Sequence, residues 1–240
     1  VGRSAIGRRL MRDPLCLAVD ACLAAVEDAS LTLEDIDGLS TYPGAAPMGM
    51  SEGGVTAVEE ALRLRPTWIN GGGDLPGPGG SVIAAMLAVS AGLCRHVLCF
   101  RTVWESTYAT LGLHGGGGGG RVSGPFAEWR APFGALSAAN WIGMNANQYL
   151  HRYGAGREVL GWIALNDRAN AARNPVAIYR DPMTMDDYLS ARPITSPFGL
   201  YDCDVLCDGA VAVVVSAVDA ADDTRRPVRV EAVGTQITER

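Results

Sequence analysis

The sequence predicts an α/β protein in which helices cover a parallel or mixed β-sheet. Strand-like and helical segments alternate from residue 13 to about residue 103, which is the pattern of a sheet wrapped by helices. The runs "HVLCF" and "AVAVVV" are continuously apolar, as strands buried on both faces are. A glycine-rich stretch at 104–135 interrupts the alternation, so an insertion into the core is expected there.

The first helix carries the clearest local signals. In "DPLCLAVDACLAAVEDAS", Asp13 is suited to cap the helix and Pro14 to occupy its first position. Leu15, Val19 and Cys22 then recur at helical spacing. We therefore predict a helix that begins at Pro14 and buries one face.

The remaining elements follow from the same criteria. Strands are predicted at 35–44, 67–72, 95–103, 210–215 and 229–237, and helices at 55–64, 81–93, 137–154 and 157–174. We predict an α/β core at 1–103, an inserted helical loop domain at 104–195, and a return to the core sheet at 196–240.

Composition excludes several classes of protein. The net charge of −6 with 48% hydrophobic residues is typical of a globular domain and argues against a nucleic-acid role. No run of eighteen apolar residues occurs and the N-terminal segment lacks a secretory pattern, so no membrane span and a cytoplasmic location are expected.

All 20 basic residues are arginine. A Walker phosphate loop and a Schiff-base enzyme both need lysine, so neither chemistry is available to these residues. The six cysteines form no C-x-x-C pair and are predicted to be reduced and packed, and the three histidines are scattered. No metal site is therefore expected.

A glycine-rich turn lies within "WINGGGDLPGPGGSVIAAMLAVSAGL" at 68–93. Turns between a strand and a buried helix can hold a phosphate or a nucleophile, because free N–H groups and the helix dipole point out of them. No register of the turn reads G-x-G-x-x-G, which argues against dinucleotide binding. The turn also has no cysteine, and Ser81 is its first hydroxyl.

Four segments carry a resemblance to a known family: "GGSVIAAMLAVSAGLCRHVLCFRT", "PFGALSAANWIGMNANQYLHRYG", "ANAARNPVAIYRDPMTMDDYLSARPI" and "LYDCDVLCDGAVAVVVSAVDA". The sequence resembles the thiolase superfamily, and within it the lipid-transfer or sterol-carrier-protein-like branch. The resemblance runs from about 1 to 236 and is densest over 132–216. It implies a thiolase-like fold, an acyl-CoA thioester substrate, a homodimer and a small OB-fold and zinc-ribbon partner protein.

The sequence departs from that family in two ways. The thiolase nucleophilic cysteine should fall near position 75, where this sequence has Leu75. A thiolase subunit also has two similar halves, and 240 residues correspond to the first. We therefore expect a fragment or a half-subunit that does not work through an acyl-cysteine.

The resemblance and the missing cysteine together imply a retro-aldol carbon–carbon lyase acting on a β-hydroxyacyl-CoA, such as a steroid side-chain thioester. Such cleavage needs a base for the hydroxyl proton and donors for the enolate oxygen. We predict that the turn binds the thioester, through the four residues Gly73, Asp74, Gly77 and Gly79. No cofactor is expected beyond the coenzyme A of the substrate.

Glu105 and Tyr108 are the candidate catalytic residues, because they follow the third strand and ligands of α/β sheets gather at the carboxyl ends of strands. The alternative is a solvated loop or capping role, which a polar residue at a strand exit has more often. Arg121, Arg130 and Arg168 could bind CoA phosphates, since guanidinium groups bind phosphate through two bonds. Ordinary surface positions are the alternative for each arginine.

Two other functions fit the resemblance. A true thiolase or acyltransferase would need a reactive cysteine, so selective alkylation with loss of activity would favour it. A non-catalytic lipid-transfer or scaffold subunit would bind acyl-CoA or sterol without turnover.

Overall fold

The computed structural model describes residues 1–44, 51–72, 77–113, 128, 131–135, 137–220 and 228–234. The chain forms two compact units, one of residues 1–113 with 207–240 and the other of residues 114–206. These divisions lie after the sequence-based boundaries at 103/104 and 195/196. The difference at the first boundary arises because a short helix directly after the third long strand still packs on the core sheet.

The first unit contains a five-stranded mixed sheet. Its strands are β1 (Gly2–Arg3), β2 (Gly38–Thr41), β3 (Trp68–Asn70), β4 (His96–Trp104) and, after the second unit, β7 (Asp208–Ser216). The spatial order is β1-β7-β4-β2-β3. β2 pairs in parallel with β3 and β4, whereas β7 is antiparallel to β1 and β4. The predicted α/β architecture with a mixed sheet is confirmed.

Helices cover both faces of this sheet. α1 (Pro14–Asp28) and α2 (Gly54–Leu62) share one apolar cluster with Leu98 and Phe100 of β4, whereas α3 (Gly77–Ser90) shares a second cluster with Val97 and Cys99. Alternate residues of β4 thus face opposite helix layers, as the pleat of a strand requires. This double burial explains the continuous apolar run that the sequence has there.

The start of α1 is as the sequence predicts. The Asp13 carboxylate accepts hydrogen bonds from Leu15 N (2.8 Å) and Cys16 N (3.4 Å), and Pro14 is the first helical residue. Leu17 and Cys22 are fully buried against the sheet. The cap fixes where the helix begins, and its apolar face determines where it packs.

The second unit is mainly helical. It contains α5 (Ala138–Tyr153), α6 (Glu158–Ala171), α7 (Met185–Ser190) and a two-stranded ribbon of β5 (Pro193–Thr195) and β6 (Phe198–Gly199). Tyr188 of α7 is fully buried beside Gly161 of α6, where an added Cβ would lie 2.8 Å from the tyrosine ring. Gly161 therefore allows the two helices to approach closely.

Two details of the secondary structure differ from the prediction. The strand predicted at 229–237 is wrong over 229–234, which are exposed and form no strand, and 235–237 lie outside the described residues. An extended segment cannot hold itself in water without a neighbouring strand. The helix α4 (Glu105–Thr110) falls in a stretch that the glycine-rich composition predicted to be irregular.

Candidate active site

The three parallel strands β2, β3 and β4 end at one edge of the sheet, and polar side chains there join β2 to β3 and to α3. Asn70 at the end of β3 donates through Nδ2 to Ser40 Oγ of β2 (3.0 Å). Ser40 Oγ in turn donates to the carbonyl oxygen of Ser81 in α3 (2.8 Å). These bonds fix the first turn of α3 against the exits of two strands.

The loops that leave β2 and β3 lie against each other. Gly44 has φ +81°, and a Cβ on it would overlap the carbonyl oxygen of Gly71. A Cβ on Gly72, where φ is +115°, would lie 2.8 Å from the carbonyl oxygen of Pro43. Only glycine fits this contact, so the residues that lead into the turn at 71–80 are held by backbone packing.

Gly77 and Gly79 form the start of α3. Neither would bring a Cβ within 4 Å of another heavy atom, and Gly77 has φ +62°. There is open space beside the first turn of a helix that is 14 residues long, and the free N–H groups of such a turn can stabilise a developing oxyanion. Gly73, Asp74 and the position of Leu75 lie outside the described residues.

Glu105 and Tyr108 lie on α4, which follows directly from β4 at the same edge of the sheet. They are three residues apart on one helix and are therefore neighbours on its surface. The ring of Tyr108 contacts that of Trp104 with centroids 6.1 Å apart, and Glu105 N donates to the carbonyl oxygen of Cys207 (3.1 Å). The catalytic role of both side chains stays a prediction.

Asp208, at the start of β7, anchors α4. Its side chain is fully buried, and its carboxylate accepts hydrogen bonds from Ser106 N (3.0 Å), Thr107 N (3.0 Å), Thr107 Oγ1 (2.6 Å) and Leu10 N (2.9 Å). Burial acts to raise the pKa of Asp208, but these donors outweigh it and the pKa is lowered. No local sequence signal marks this role of Asp208, because its partners are distant along the chain.

Glu52 is a buried carboxyl group that the sequence analysis missed. It is 6% exposed, and its Oε2 atom makes no hydrogen bond to any described residue. Burial raises the pKa of Glu52, and the charge of nearby Arg101 opposes that shift. Between serine and glycine in "GMSEGG" this residue has the sequence environment of a solvated loop, so no local signal marks it.

Arg168 lies in the second unit, within a cleft of about 400 Å³. Its guanidinium group lies over the rings of Tyr179 and Tyr201, at 5.3 and 5.4 Å from their centroids. Asp181 and Asp187 line the same cleft, and these carboxylates would compete with a phosphate for the guanidinium. Phosphate binding by Arg168 stays a prediction, and Arg121 and Arg130 lie outside the described residues.

Four of the six cysteines lack the features of an activated nucleophile. All six are free thiols. Burial raises the pKa of Cys22, Cys94 and Cys203 above the ordinary thiol value and that of Cys99 to about 12. A catalytic thiolate requires a lowered pKa, so these four residues are suited to packing.

Within the described ranges, no group of three or more His, Cys, Asp or Glu side chains is arranged to hold a metal ion. The helices of the same ranges include none that is both long and apolar enough to cross a bilayer.

Comparison of the structure with solved structures identifies the fold. The "Ltp2-ChsH2(DUF35) aldolase" matches with a TM-score of 0.75 and 30% identity over 91% of this chain and 54% of that one. An SCP2-thiolase-like protein from Mycobacterium smegmatis matches with a TM-score of 0.64 over 92% of this chain and 45% of that one, at 17% identity. The protein has a thiolase-like α/β fold.

Two curated relatives cover almost the whole chain. A "Steroid side-chain-cleaving aldolase" of Thermomonospora curvata is 34% identical over 95% of the chain. A "17-hydroxy-3-oxo-4-pregnene-20-carboxyl-CoA lyase" of Mycobacterium tuberculosis is 31% identical over 97% of it. These matches confirm the resemblance of the chain to the thiolase superfamily, in the lipid-transfer and sterol-carrier-protein-like branch.

The chain spans 58% and 60% of the length of these two relatives. A scan against protein-family models found no match.

Proposed function

We propose that the chain is part of an acyl-CoA lyase that cleaves a carbon–carbon bond in a β-hydroxyacyl-CoA by a retro-aldol reaction. The observation that carries the proposal is the 34% identity, over 95% of the chain, to a steroid side-chain-cleaving aldolase. A steroid side-chain thioester is the proposed substrate class.

The proposed step needs no cofactor other than the coenzyme A of the substrate. A base removes the proton of the β-hydroxyl group, the bond between the α and β carbons breaks, and a ketone or aldehyde forms at the β carbon. The electron pair of the broken bond passes to the thioester oxygen as an enolate, which is then protonated at the α carbon. N–H groups at the start of α3 are the proposed donors to that oxygen.

The alternative of an acyl-cysteine thiolase is less consistent with the chain. Position 75 holds leucine, and burial raises the pKa of four of the six cysteines. We expect iodoacetamide to label the exposed Cys16 without loss of activity. Rapid, selective labelling of one cysteine with loss of activity would instead favour an acyltransferase.

Partners are part of the proposal. The "Ltp2-ChsH2(DUF35) aldolase" supports a complex with a DUF35 protein, for which we expected an OB-fold and a zinc ribbon. A homodimer is also proposed, because Leu87 of α3 is 63% exposed and Ile69 of the edge strand β3 is 50% exposed, and exposed large apolar side chains favour an interface.

The decisive experiment compares residues 1–240 with the full-length protein, each with its DUF35 partner, on a β-hydroxyacyl-CoA. We expect turnover by the full-length protein only, because the turn offers donors but no base and the remaining acid and base groups are proposed to lie beyond Arg240. Ketone release and acyl-CoA formation are measured together by liquid chromatography. Equal turnover by the 240 residues would place the chemistry on Glu105, Tyr108 or another group within them. Binding without turnover by the full-length protein would favour a carrier role.

A further inference from the structure

Residues 7–12, "GRRLMR", form a loop that is fixed from beneath, and we call it the arginine loop. Three successive backbone N–H groups point inward: Arg9 N donates to Ser106 Oγ (2.7 Å), Leu10 N to Asp208 Oδ2 (2.9 Å) and Met11 N to Thr107 Oγ1 (3.0 Å). The carbonyl oxygen of Arg12 accepts from Trp104 Nε1 (2.7 Å). The loop is thereby bonded to the end of β4, to α4 and to β7.

These bonds hold the loop in a costly backbone conformation. Arg9 and Met11 have φ +56° and +53°, a left-handed region that costs a residue with a Cβ about 1–2 kcal/mol. The other described non-glycine residues with positive φ are Ser30 and Arg63, which follow the ends of α1 and α2, where this conformation is common. No helix end accounts for Arg9 and Met11, so the hydrogen bonds must enforce the shape.

The enforced shape turns side chains outward. Arg8 and Arg9 are exposed, and neither guanidinium group makes a hydrogen bond or ion pair with any described residue. Arg12 is different, because it pairs with Asp20 at 2.8 Å. Met11 is 56% exposed beside the two arginines. In a chain of net charge −6, the loop presents two successive arginines that form no ion pair with any described residue.

We propose that the arginine loop binds the phosphate groups of a small organic phosphate. Guanidinium groups recognise phosphate oxygens through two parallel hydrogen bonds, and a rigid backbone lowers the entropy cost of positioning them. The two arginines are successive residues of one short loop, which favours a ligand small enough to be held by that loop. Coenzyme A is the organic phosphate in question, and this assignment rests on the proposed function.

The test measures binding to the full-length protein by calorimetry at low salt, with coenzyme A, 3′-dephospho-coenzyme A and inorganic pyrophosphate as probes. The variant Arg8→Gln/Arg9→Gln should weaken coenzyme A binding at least tenfold. Arg65→Gln is the matched control, because Arg65 is also exposed, and it should leave the affinity unchanged. Equal affinity in the double variant and the control would overturn the proposal.

The other probes identify the phosphate that is bound. If the 3′-phosphate is the contact, dephospho-coenzyme A binds wild type as weakly as coenzyme A binds the double variant. If the diphosphate is the contact, pyrophosphate binds wild type and loses affinity in the double variant. Either result supports the loop as a phosphate site. If the double variant binds all three probes as tightly as wild type does, the proposal is refuted.

Turnover separates this proposal from the proposed function. Suppose that pyrophosphate binding depends on the two arginines but the protein cleaves no acyl-CoA. The phosphate site would then be supported and the proposed lyase function refuted. Normal turnover with an unchanged KM in the double variant would support the lyase function and refute the arginine loop as a site for coenzyme A.

Discussion

The hydroxyl group of Tyr188, a fully buried residue of the second unit, donates a 2.6 Å hydrogen bond to Oδ1 of Asp202. Oδ2 of the same carboxylate accepts from Gly199 N at 2.7 Å, and the guanidinium group of Arg157 lies over the tyrosine ring. Burial, followed by the bond to Asp202, raises the pKa of Tyr188 to about 12. The phenol is therefore protonated at neutral pH and acts as a donor.

We expect Tyr188→Phe to destabilise the protein by about 1.5–3 kcal/mol, because it removes one hydrogen bond to a charged group. Denaturant unfolding with a probe in the second unit measures the loss. Tyr153→Phe is the control, since Tyr153 is 64% exposed and should change stability by less than about 0.5 kcal/mol. A loss no larger than that of the control would mean that the buried bond contributes nothing net.

Asp208→Asn should destabilise the first unit by about 2–4 kcal/mol, because an amide cannot accept all the hydrogen bonds that the carboxylate accepts. The folded-state pKa of Asp208 is lowered, so its contribution is present above the unfolded value near 4 and is lost as pH falls. The difference in free energy of unfolding between wild type and variant should therefore become smaller at acidic pH. Urea unfolding at a series of pH values from 7 to 3 measures this difference.

The exposed Asp204 provides the matched control for that experiment. Asp204→Asn should leave stability nearly unchanged across the same pH range. A gap for Asp208→Asn that is constant with pH would show that packing, and not the charge of the carboxylate, holds α4.

Glu52→Gln should stabilise the protein at neutral pH. The folded-state pKa of Glu52 is raised by burial, so wild type loses stability as pH rises from the unfolded value near 4.3 through the raised value. The uncharged amide escapes this loss, and the advantage of the variant should grow over that interval and then level off. Thermal unfolding at pH 4, 6 and 8 measures the difference.

Among the described residues, Arg101 and Cys22 interact electrostatically with Glu52. Glu60→Gln on the exposed side of α2 is the control and should give no such pH dependence. If Glu52→Gln were less stable than wild type at every pH, the attraction between Glu52 and Arg101 would exceed the cost of burying the carboxylate.

Gly44→Ala should cost more stability than Gly92→Ala. Both glycines have positive φ, +81° and +72°, but only Gly44 lacks room for a Cβ, which would overlap the carbonyl oxygen of Gly71. The change at Gly92 therefore measures backbone strain alone, about 1 kcal/mol. The additional loss at Gly44 measures the contact between the two loops at the candidate site.

The same two glycine variants test whether the loop contact shapes the candidate active site. On the full-length protein, Gly44→Ala should also raise KM, because the loop that leads into the turn is displaced, while Gly92→Ala should leave KM unchanged. Equal effects of both changes on stability and KM would mean that the loop contact does not shape the site.

The elements that the sequence predicts best are those fixed by neighbouring residues. The start of α1 depends on Asp13 and Pro14, and the buried strand β4 is apparent in its own apolar run. The anchoring of α4 depends instead on bonds between residues 101 positions apart, such as Thr107 N to Asp208 Oδ1. No local pattern contains that pairing.

The candidate site likewise contains some features that the sequence predicts and others that it does not. The glycines of the turn and the strand exit at Glu105 could be located from the order of strands and helices, because ligands gather at the carboxyl ends of parallel strands. The buried state of Glu52 and the outward display of Arg8 and Arg9 could not, because both depend on packing between elements distant along the chain.

The pairing of β4 with β7 has a consequence for synthesis of the chain on the ribosome. β4 ends at Trp104 and β7 begins at Asp208, and at 5–20 residues per second the second strand is synthesised roughly 5–20 s after the first. During that interval the apolar face of α1 lacks a main part of its cover, since Ala210 and Ala212 of β7 belong to the same cluster. While the second unit is being synthesised, the nascent chain therefore exposes the apolar face of α1 and the unpaired edge of β4. We expect a chaperone that binds exposed apolar segments to act on the chain in that period.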